Sequence, residues 1–263
     1  MKSLAIVIAV LSYNVHGLNH WVVSDDPEKR MPLISAKLDP YDVALIQESW
    51  TYTDALAAQA SHSTKELGNG PHPGTFGLTG LATFAKPVLV AVSRGSLGAC
   101  SGWLGGANDC LADKGYLRLR LRLEDGVEVD FWNLHLDAGD GEGDRAAREQ
   151  QLENLAMRVE SLSSDSPLVI AGDFNSSAEN PADVALLERF EKRLGLRDSG
   201  ARSDPAGAFA EKHIDYILLR DGRGVRLETL AAGEAAEFAS EGAPLSDHPA
   251  LFARVRVTRA SDP

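Results

Sequence analysis

The chain has 263 residues, 44% of them hydrophobic, enough to bury a full core without a structural staple. No segment approaches the ~18–20 uninterrupted apolar residues of a membrane-spanning helix. The formal net charge of -12 opposes a polyanion such as duplex nucleic acid as the main partner, and phosphate chemistry on such a chain points to a metal ion.

The opening "MKSLAIVIAVLSYNVHG" has a lysine and a short apolar run, as signal peptides do. No small-x-small pattern follows it, and Ser12, Tyr13 and Asn14 come directly after, so a buried strand over Ala5 to Ser12 is predicted. Cytoplasmic and exported locations both stay open. Strands are also predicted at Val43 to Gln47, Leu78 to Phe84 and Val88 to Val92, with a short helix around Thr53 to Thr64. Cys100 and Cys110 lie in a Gly-rich loop; two cysteines do not build a zinc site, and they fit one disulfide or two free thiols equally.

Tyr116 to Leu123 and Val127 to Leu134 read as strands, and the intervening Asp-Gly of "EDGV" makes them an antiparallel hairpin. A helix follows over "DRAAREQQLENLAMRVESL", with Leu152, Leu155, Ala156, Val159 and Leu162 on one stripe and Asp144 as its N-cap. After a strand at Leu168 to Ala171, "PADVALLERFEKRLGL" gives a second helix, with Pro181 at its start and Gly195 at its stop. Ile214 to Leu219 and Ala250 to Val257 complete the strands. No linker or internal repeat breaks the series. The expected fold is α/β (α+β), one domain over 1–263, with two mainly antiparallel sheets packed face to face and helices outside.

Strand ends share a habit. They read "SYNVHG", "IQESW", "NLHLDAG" and "AGDFNSS", while "HIDYIL" opens a strand and "SDHPAL" precedes the last one. Each sets a carboxylate, carboxamide or imidazole where an apolar run meets a loop, and loops on one rim of a rigid sheet are where sites are built. Glu48 and Asn14 suit a hard cation such as Mg²⁺, or Mn²⁺ in its place; taken singly, each is also ordinary helix-cap or turn chemistry. His248 has Asp247 beside it, and an imidazole held by a carboxylate is the usual form of a general base. Asp215 lies in an apolar strand and needs a partner, for which an imidazole is the natural choice. Asp173 and Asn175, two apart on a strand end, can face one pocket. Together with His135 the set fits hydrolysis of a phosphate ester. Arg118, Arg120 and Arg122 share one strand face and are read as a solvated face with paired acids, in preference to a nucleic-acid track.

These six motifs, in this order from Ser12 to Leu251, resemble the endonuclease/exonuclease/phosphatase superfamily with its DNase I-like fold. The resemblance implies a four-layer sandwich with the site at the rim of two sheets. It further implies a divalent metal on Glu48 with Asn14 close by. Asp173 and Asn175 would position water or phosphoryl oxygens, and His135 would contact the phosphate or protonate the leaving group. His248 would be the base, oriented by Asp215 or Asp247, and is ranked above Asp173 in that role. "GACSGWLGGANDCLADKGYLRLRL" looks like the neutral sphingomyelinase branch, where an Asp–Lys pair of the spacing of Asp109 and Lys114 is proposed to act on the site; Lys114 would also contact phosphate, or simply close a loop. Trp103-Leu104 would touch a membrane surface transiently or pack over its own loop. The expectation is therefore a Mg²⁺-dependent phosphodiesterase of sphingomyelinase or phospholipase C type, acting as a monomer on a phospholipid headgroup. A DNase or repair-type endonuclease is the alternative, followed by a non-catalytic binding module.

Overall fold

The structure, a computed structural model, describes residues 5–19, 25–68, 79–102, 110, 114–204, 206–210 and 213–259. Two six-stranded sheets dominate it. The first runs, in spatial order, Val225–Glu234 (β11), Leu251–Arg259 (β14), Ala5–Asn14 (β1), Val43–Gln47 (β2), Ala82–Ala85 (β4) and Thr64–Leu67 (β3). The second runs Val88–Ser96 (β5), Gly115–Arg122 (β6), Glu128–His135 (β7), Leu168–Asp173 (β8), Asp215–Arg220 (β10) and Arg197–Asp198 (β9). A two-residue ribbon, Ala239–Ser240 (β12) with Ala243–Pro244 (β13), stands apart. Pairing is antiparallel except for β1 with β2 and β7 with β8, which are parallel.

Three clusters of buried side chains explain the layering. Ile8, Val10, Val43, Leu45, Leu119, Phe131, Val169, Ile217 and Val255 interlock between the sheets. Leu11, Tyr13, Ile46 and Phe84 face outward from the first sheet and pack under Pro27–Ser35 (α1) and Thr53–Ala57 (α2), which contribute Met31, Ile34 and Leu56. Trp132, Leu134, Ile170 and Leu218 do the same for the second sheet under Glu142–Leu162 (α3) and Pro181–Leu194 (α4). The central strands are thus buried on both faces, and this is why they read as continuous apolar runs rather than as alternations. The result is a four-layer α+β sandwich.

Local chemistry sets the element ends. Asn180 caps α4, its side-chain oxygen accepting from Ala182 N at 2.9 Å, with Pro181 in the first turn and Gly195 at φ 67° past the last. α3 begins three residues earlier than expected: Gly141 is the N-cap and Asp144 sits inside the first turn, its carboxylate accepting from Gly141 N at 3.0 Å. α2 ends at Ala57, short of the expected Thr64, where β3 already begins. α1 and β11 were not predicted.

The arginine face of β6 is only partly solvated. Arg118 is buried and shares Asp130 with Arg120, at 2.8 Å each, while Arg122 pairs with Glu128 at the exposed end. The paired acids are as expected; the burial comes from the end of α3, whose Leu162 carbonyl accepts from both guanidiniums. Cys100 and Cys110 form a disulfide. Trp103, Leu104 and Asp109 lie outside the described residues.

Candidate active site

Strand register assembles the site. In the parallel β1–β2 pair Asn14 sits opposite Gln47, so Glu48 leaves β2 at the level of Asn14. In the parallel β7–β8 pair His135 faces Asp173, and across β8–β10 Asp173 faces Asp215. Parallel neighbours end at the same edge, so all these polar ends emerge on one rim. The loop before β14 brings His248 to them, with Ser246 Oγ donating to Asn14 O at 2.7 Å. Gly172, at φ 152°, lets β8 approach β7 closely: a Cβ there would lie 2.0 Å from Leu134 O. Glu48, Asn175 and His16 hold left-handed backbone at φ 55°, 48° and 47°, a conformation that costs non-glycine residues energy and collects at functional sites.

The side chains converge tightly. Asn14 Nδ2 donates to Glu48 Oε1 at 2.9 Å and to Asp173 Oδ2 at 3.0 Å, and lies 3.5 Å from His248 Nε2. Its oxygen accepts from His16 N at 3.0 Å. Asn14 therefore turns its amide nitrogen toward the carboxylates and orients them. Asp215 Oδ2 lies 2.9 Å from His248 Nδ1, which leaves Nε2 facing Asp173 Oδ2 at 3.7 Å. Of the two carboxylates considered for orienting His248, Asp215 holds that place. Asp247 is half exposed and its Oδ1 lies 3.8 Å from His16 Nδ1.

On the other flank His135 Nε2 lies 3.8 Å from Glu48 Oε1 and 3.7 Å from Asp173 Oδ2. Lys114 Nζ reaches the same nitrogen at 3.1 Å. Burial first, and then the Lys114 and His248 charges, hold the His135 imidazole well below its ordinary pKa, so it is neutral and accepts from the ammonium. Asp173 is pushed up, by burial first and by Asp215 second, against the opposing pull of His248 and of hydrogen bonds from Asn175 N and Asn14. Asn175 N donates to Asp173 Oδ1 at 2.8 Å, and its side-chain nitrogen donates to Leu136 O at 2.9 Å.

Two overlapping groups have the donors a metal needs: Glu48, His135 and Asp173, and Asp173, Asp215 and His248, with ligand atoms inside each group within 4.8 Å of one another. Each group offers two carboxylates and one imidazole, a set that fits a hard divalent cation, and because Asp215 and His248 in the second already pair with each other, the first has the freer donors. Asp173 gives an independent sign, because a buried carboxylate whose proton affinity is raised by burial and a second acid is relieved by a cation.

Sequence reasoning missed the supports. Gln47 Nε2 donates to Asn133 Oδ1 at 2.7 Å, and Asn133 Nδ2 donates to Ile46 O and Ala82 O, which ties the two sheets together below the site. Arg30, from α1, donates to Val15 O, His16 O and Leu245 O and pairs with Asp25, clamping the Asn14 loop to the His248 loop. Carboxamides inside apolar strands were the available signal for the first; Arg30 left none.

Comparison with known proteins adds relatives to this geometry. The chain is 28% identical to a sphingomyelinase of Mycobacterium tuberculosis over 91% of its own length, but it spans about half, 51%, of that relative. It shares its fold with a beta toxin mutant from Staphylococcus aureus with bound magnesium ions, at TM-score 0.73 and 18% identity, covering 95% of this chain and 99% of that one. Sphingomyelinase C from Streptomyces griseocarneus superposes at TM-score 0.70 and 19% identity, over 95% and 99% of the two chains. The family model for the endonuclease/exonuclease/phosphatase family matches residues 11–248, the span from β1 to His248 that carries every residue of this rim, and the chain belongs to that family.

Proposed function

We propose that the chain is a divalent-cation-dependent phosphodiesterase whose substrate is a phospholipid headgroup ester of the sphingomyelin type. The observation that carries the reading is the Asp215–His248 pair, 2.9 Å apart and buried, aimed at a carboxylate-rich centre 3.7 Å away. The sphingomyelinase relatives support the lipid class, and the magnesium ions of the beta toxin support the choice of cation.

Glu48, with Asp173 and His135 beside it, would hold the cation, which when bound neutralises charge building on the non-bridging phosphoryl oxygens. The protein's own groups do the rest. His248 Nε2 accepts the proton of the attacking water as its oxygen bonds to phosphorus, and the ester P–O bond breaks with its electron pair leaving on the alkoxide oxygen, which takes a proton from solvent water. Asp215 fixes the imidazole by accepting from Nδ1–H and stabilises the imidazolium that forms. Asp173 ranks below His248 as base, because both its oxygens already accept hydrogen bonds from Asn175 N and Asn14. Neutral His135 leaves positive charge on its flank to Lys114, and the Asn175 amide, one of whose N–H bonds goes to Leu136 O, would offer the other to a phosphoryl oxygen.

The test is one panel: sphingomyelin, lysophospholipids, plasmid DNA and bis-p-nitrophenyl phosphate, each with Mg²⁺, with EDTA, and with His248→Ala. Lipid hydrolysis that needs both the cation and His248 is expected. Hydrolysis of DNA but not lipid would overturn the substrate class, and activity surviving both EDTA and His248→Ala would overturn the mechanism.

A further inference from the structure

Behind the rim, α3 and α4 are joined by a buried ion pair. Arg148 is 0% exposed, Asp183 in the first turn of α4 is 2% exposed, and Arg148 Nη2 lies 3.5 Å from Asp183 Oδ1. Arg148 Nη1 donates to Asp137 O at 3.1 Å and to Gly139 O at 2.7 Å, in the segment that leaves β7 after His135. Gln151, one turn along α3, accepts from Asp137 N at 2.9 Å, so α3 holds both polar groups of that residue's backbone. Asp183 Oδ2 accepts from Ser177 N at 3.1 Å, in the segment that leaves β8 after Asp173. Asn175 lies between these two grips. Its side-chain nitrogen donates to Leu136 O at 2.9 Å, one residue before Asp137, and its own backbone, at φ 48°, comes two residues ahead of Ser177.

Stability does not account for the pair. Burying a guanidinium strips it of water, and its Nε, also buried, meets no hydrogen-bond partner among the described residues. An apolar side chain of similar volume commonly packs between two helices at no greater cost. Asn175, by contrast, needs outside support. Left-handed backbone costs a non-glycine residue energy and persists only where its surroundings impose it. A side-chain amide with one N–H on a loop carbonyl also aims its other N–H only as accurately as that carbonyl is held. Charge-assisted bonds from a planar guanidinium fix their acceptors in direction as well as distance. His135 depends on them less, because the β7–β8 ladder already sets it opposite Asp173. We infer that Arg148, with Asp183, is a positioning residue that acts through Asn175, fixing the direction of the amide N–H offered to the phosphoryl oxygen. The inference rests on the phosphodiesterase reading and adds to it a support shared by the two helices.

The test uses Arg148→Lys, which keeps the charge but cannot fork to the two carbonyls and Asp183 together. With bis-p-nitrophenyl phosphate and Mg²⁺, kcat per folded molecule is expected to fall about 10- to 100-fold while KM stays within about threefold. Added to Asn175→Ala, the same change is expected to cost less than about twofold more, because the amide it aims is gone. An unchanged kcat, or losses that multiply in the double variant, would overturn the inference. Asp183→Asn keeps an oxygen for Ser177 N–H and removes the charge facing Arg148. It is expected to behave in the same way, and it keeps the test open if Arg148→Lys misfolds. Hydrogen exchange of the substrate-free protein needs no turnover and so separates this inference from the phosphodiesterase reading. In both variants the amides of 136–141 and 174–178 are expected to exchange about five- to tenfold faster, with those of β7 and β8 unchanged. Unchanged exchange in the two segments, or faster exchange spread through the strands as well, would overturn the positioning role. A wild type inactive on every phosphodiester would overturn that reading, with the grip on Asn175 still decided by exchange.

Discussion

Asp215→Asn is the sharpest perturbation of the candidate site. The residue is buried at 2% exposure, and its Oδ2 stands 2.9 Å from His248 Nδ1. Asparagine keeps the shape but removes the charge that stabilises an imidazolium and the acceptor that fixes which nitrogen carries the proton. A buried charge-assisted hydrogen bond contributes about 1.5–3 kcal/mol, which corresponds to a fall in kcat of about 10- to 150-fold. The ceiling is the whole general-base contribution, about 10²–10⁴, which His248→Ala is expected to remove. Because Asp215 works through His248, the double variant should be no slower than His248→Ala alone. The assay is Mg²⁺-supported hydrolysis of bis-p-nitrophenyl phosphate, with the thermal midpoint as the check on folding. Weakening that bond should lower the midpoint, with relief of the charged form of Asp173 offsetting part of the fall. Multiplicative losses in the double variant, or no loss in Asp215→Asn, would refute the pairing.

Three further outcomes follow from other parts of the molecule. Glu48→Gln keeps the bond to Asn14 but halves the carboxylates facing His135, and should raise the Mg²⁺ concentration for half-maximal activity by about 10- to 100-fold, read by cation titration. Phe131→Ala empties the core between the sheets and should cost about 3–5 kcal/mol in urea unfolding; a cost below 1 kcal/mol would mean the sheets do not pack as described. His62 is buried, with Nε2 2.9 Å from Tyr41 O, and burial holds its pKa below the ordinary value. The unfolded chain takes up that proton near pH 6.5 and the folded chain does not, so folding stability must fall as pH drops below about 6.5. His62→Gln should flatten that fall relative to wild type by at most about 1.4 kcal/mol per pH unit in denaturant titrations at stepped pH.

The rim was legible because strand termini are where sequence and position agree most closely: a polar residue ending an apolar run has to be at an edge. Asn14, Glu48, His135, Asp173, Asp215 and His248 all revealed themselves this way, and register then places them side by side. The choice between Asp215 and Asp247 was beyond the sequence, since adjacency along the chain favours Asp247 while spatial adjacency across β10 favours Asp215. α1 escaped notice because Pro32 sits inside it and its apolar stripe is weak. β11 escaped because a bulge between Thr229 and Ala231 breaks the alternation that marks a strand. Asp144 was misplaced as a cap because its hydrogen bond to Gly141 N is the same chemistry read from the other end. Arg30 looked like any surface arginine; its four backbone carbonyls come from segments that only the fold brings together.

The Gln47–Asn133 tie carries a consequence for how the protein can fail. Asn14, Glu48 and the loop of His248 belong to one sheet, while His135, Asp173 and Asp215 belong to the other. Neither half holds a base together with its orienting acid, nor a complete set of cation donors. Activity is therefore a gauge of how the two sheets are docked, and a slip between them of a single residue would silence the protein with every strand still formed. A compact state with intact circular dichroism and loosened inner packing should be inert, and turnover should vanish before secondary structure does as denaturant rises.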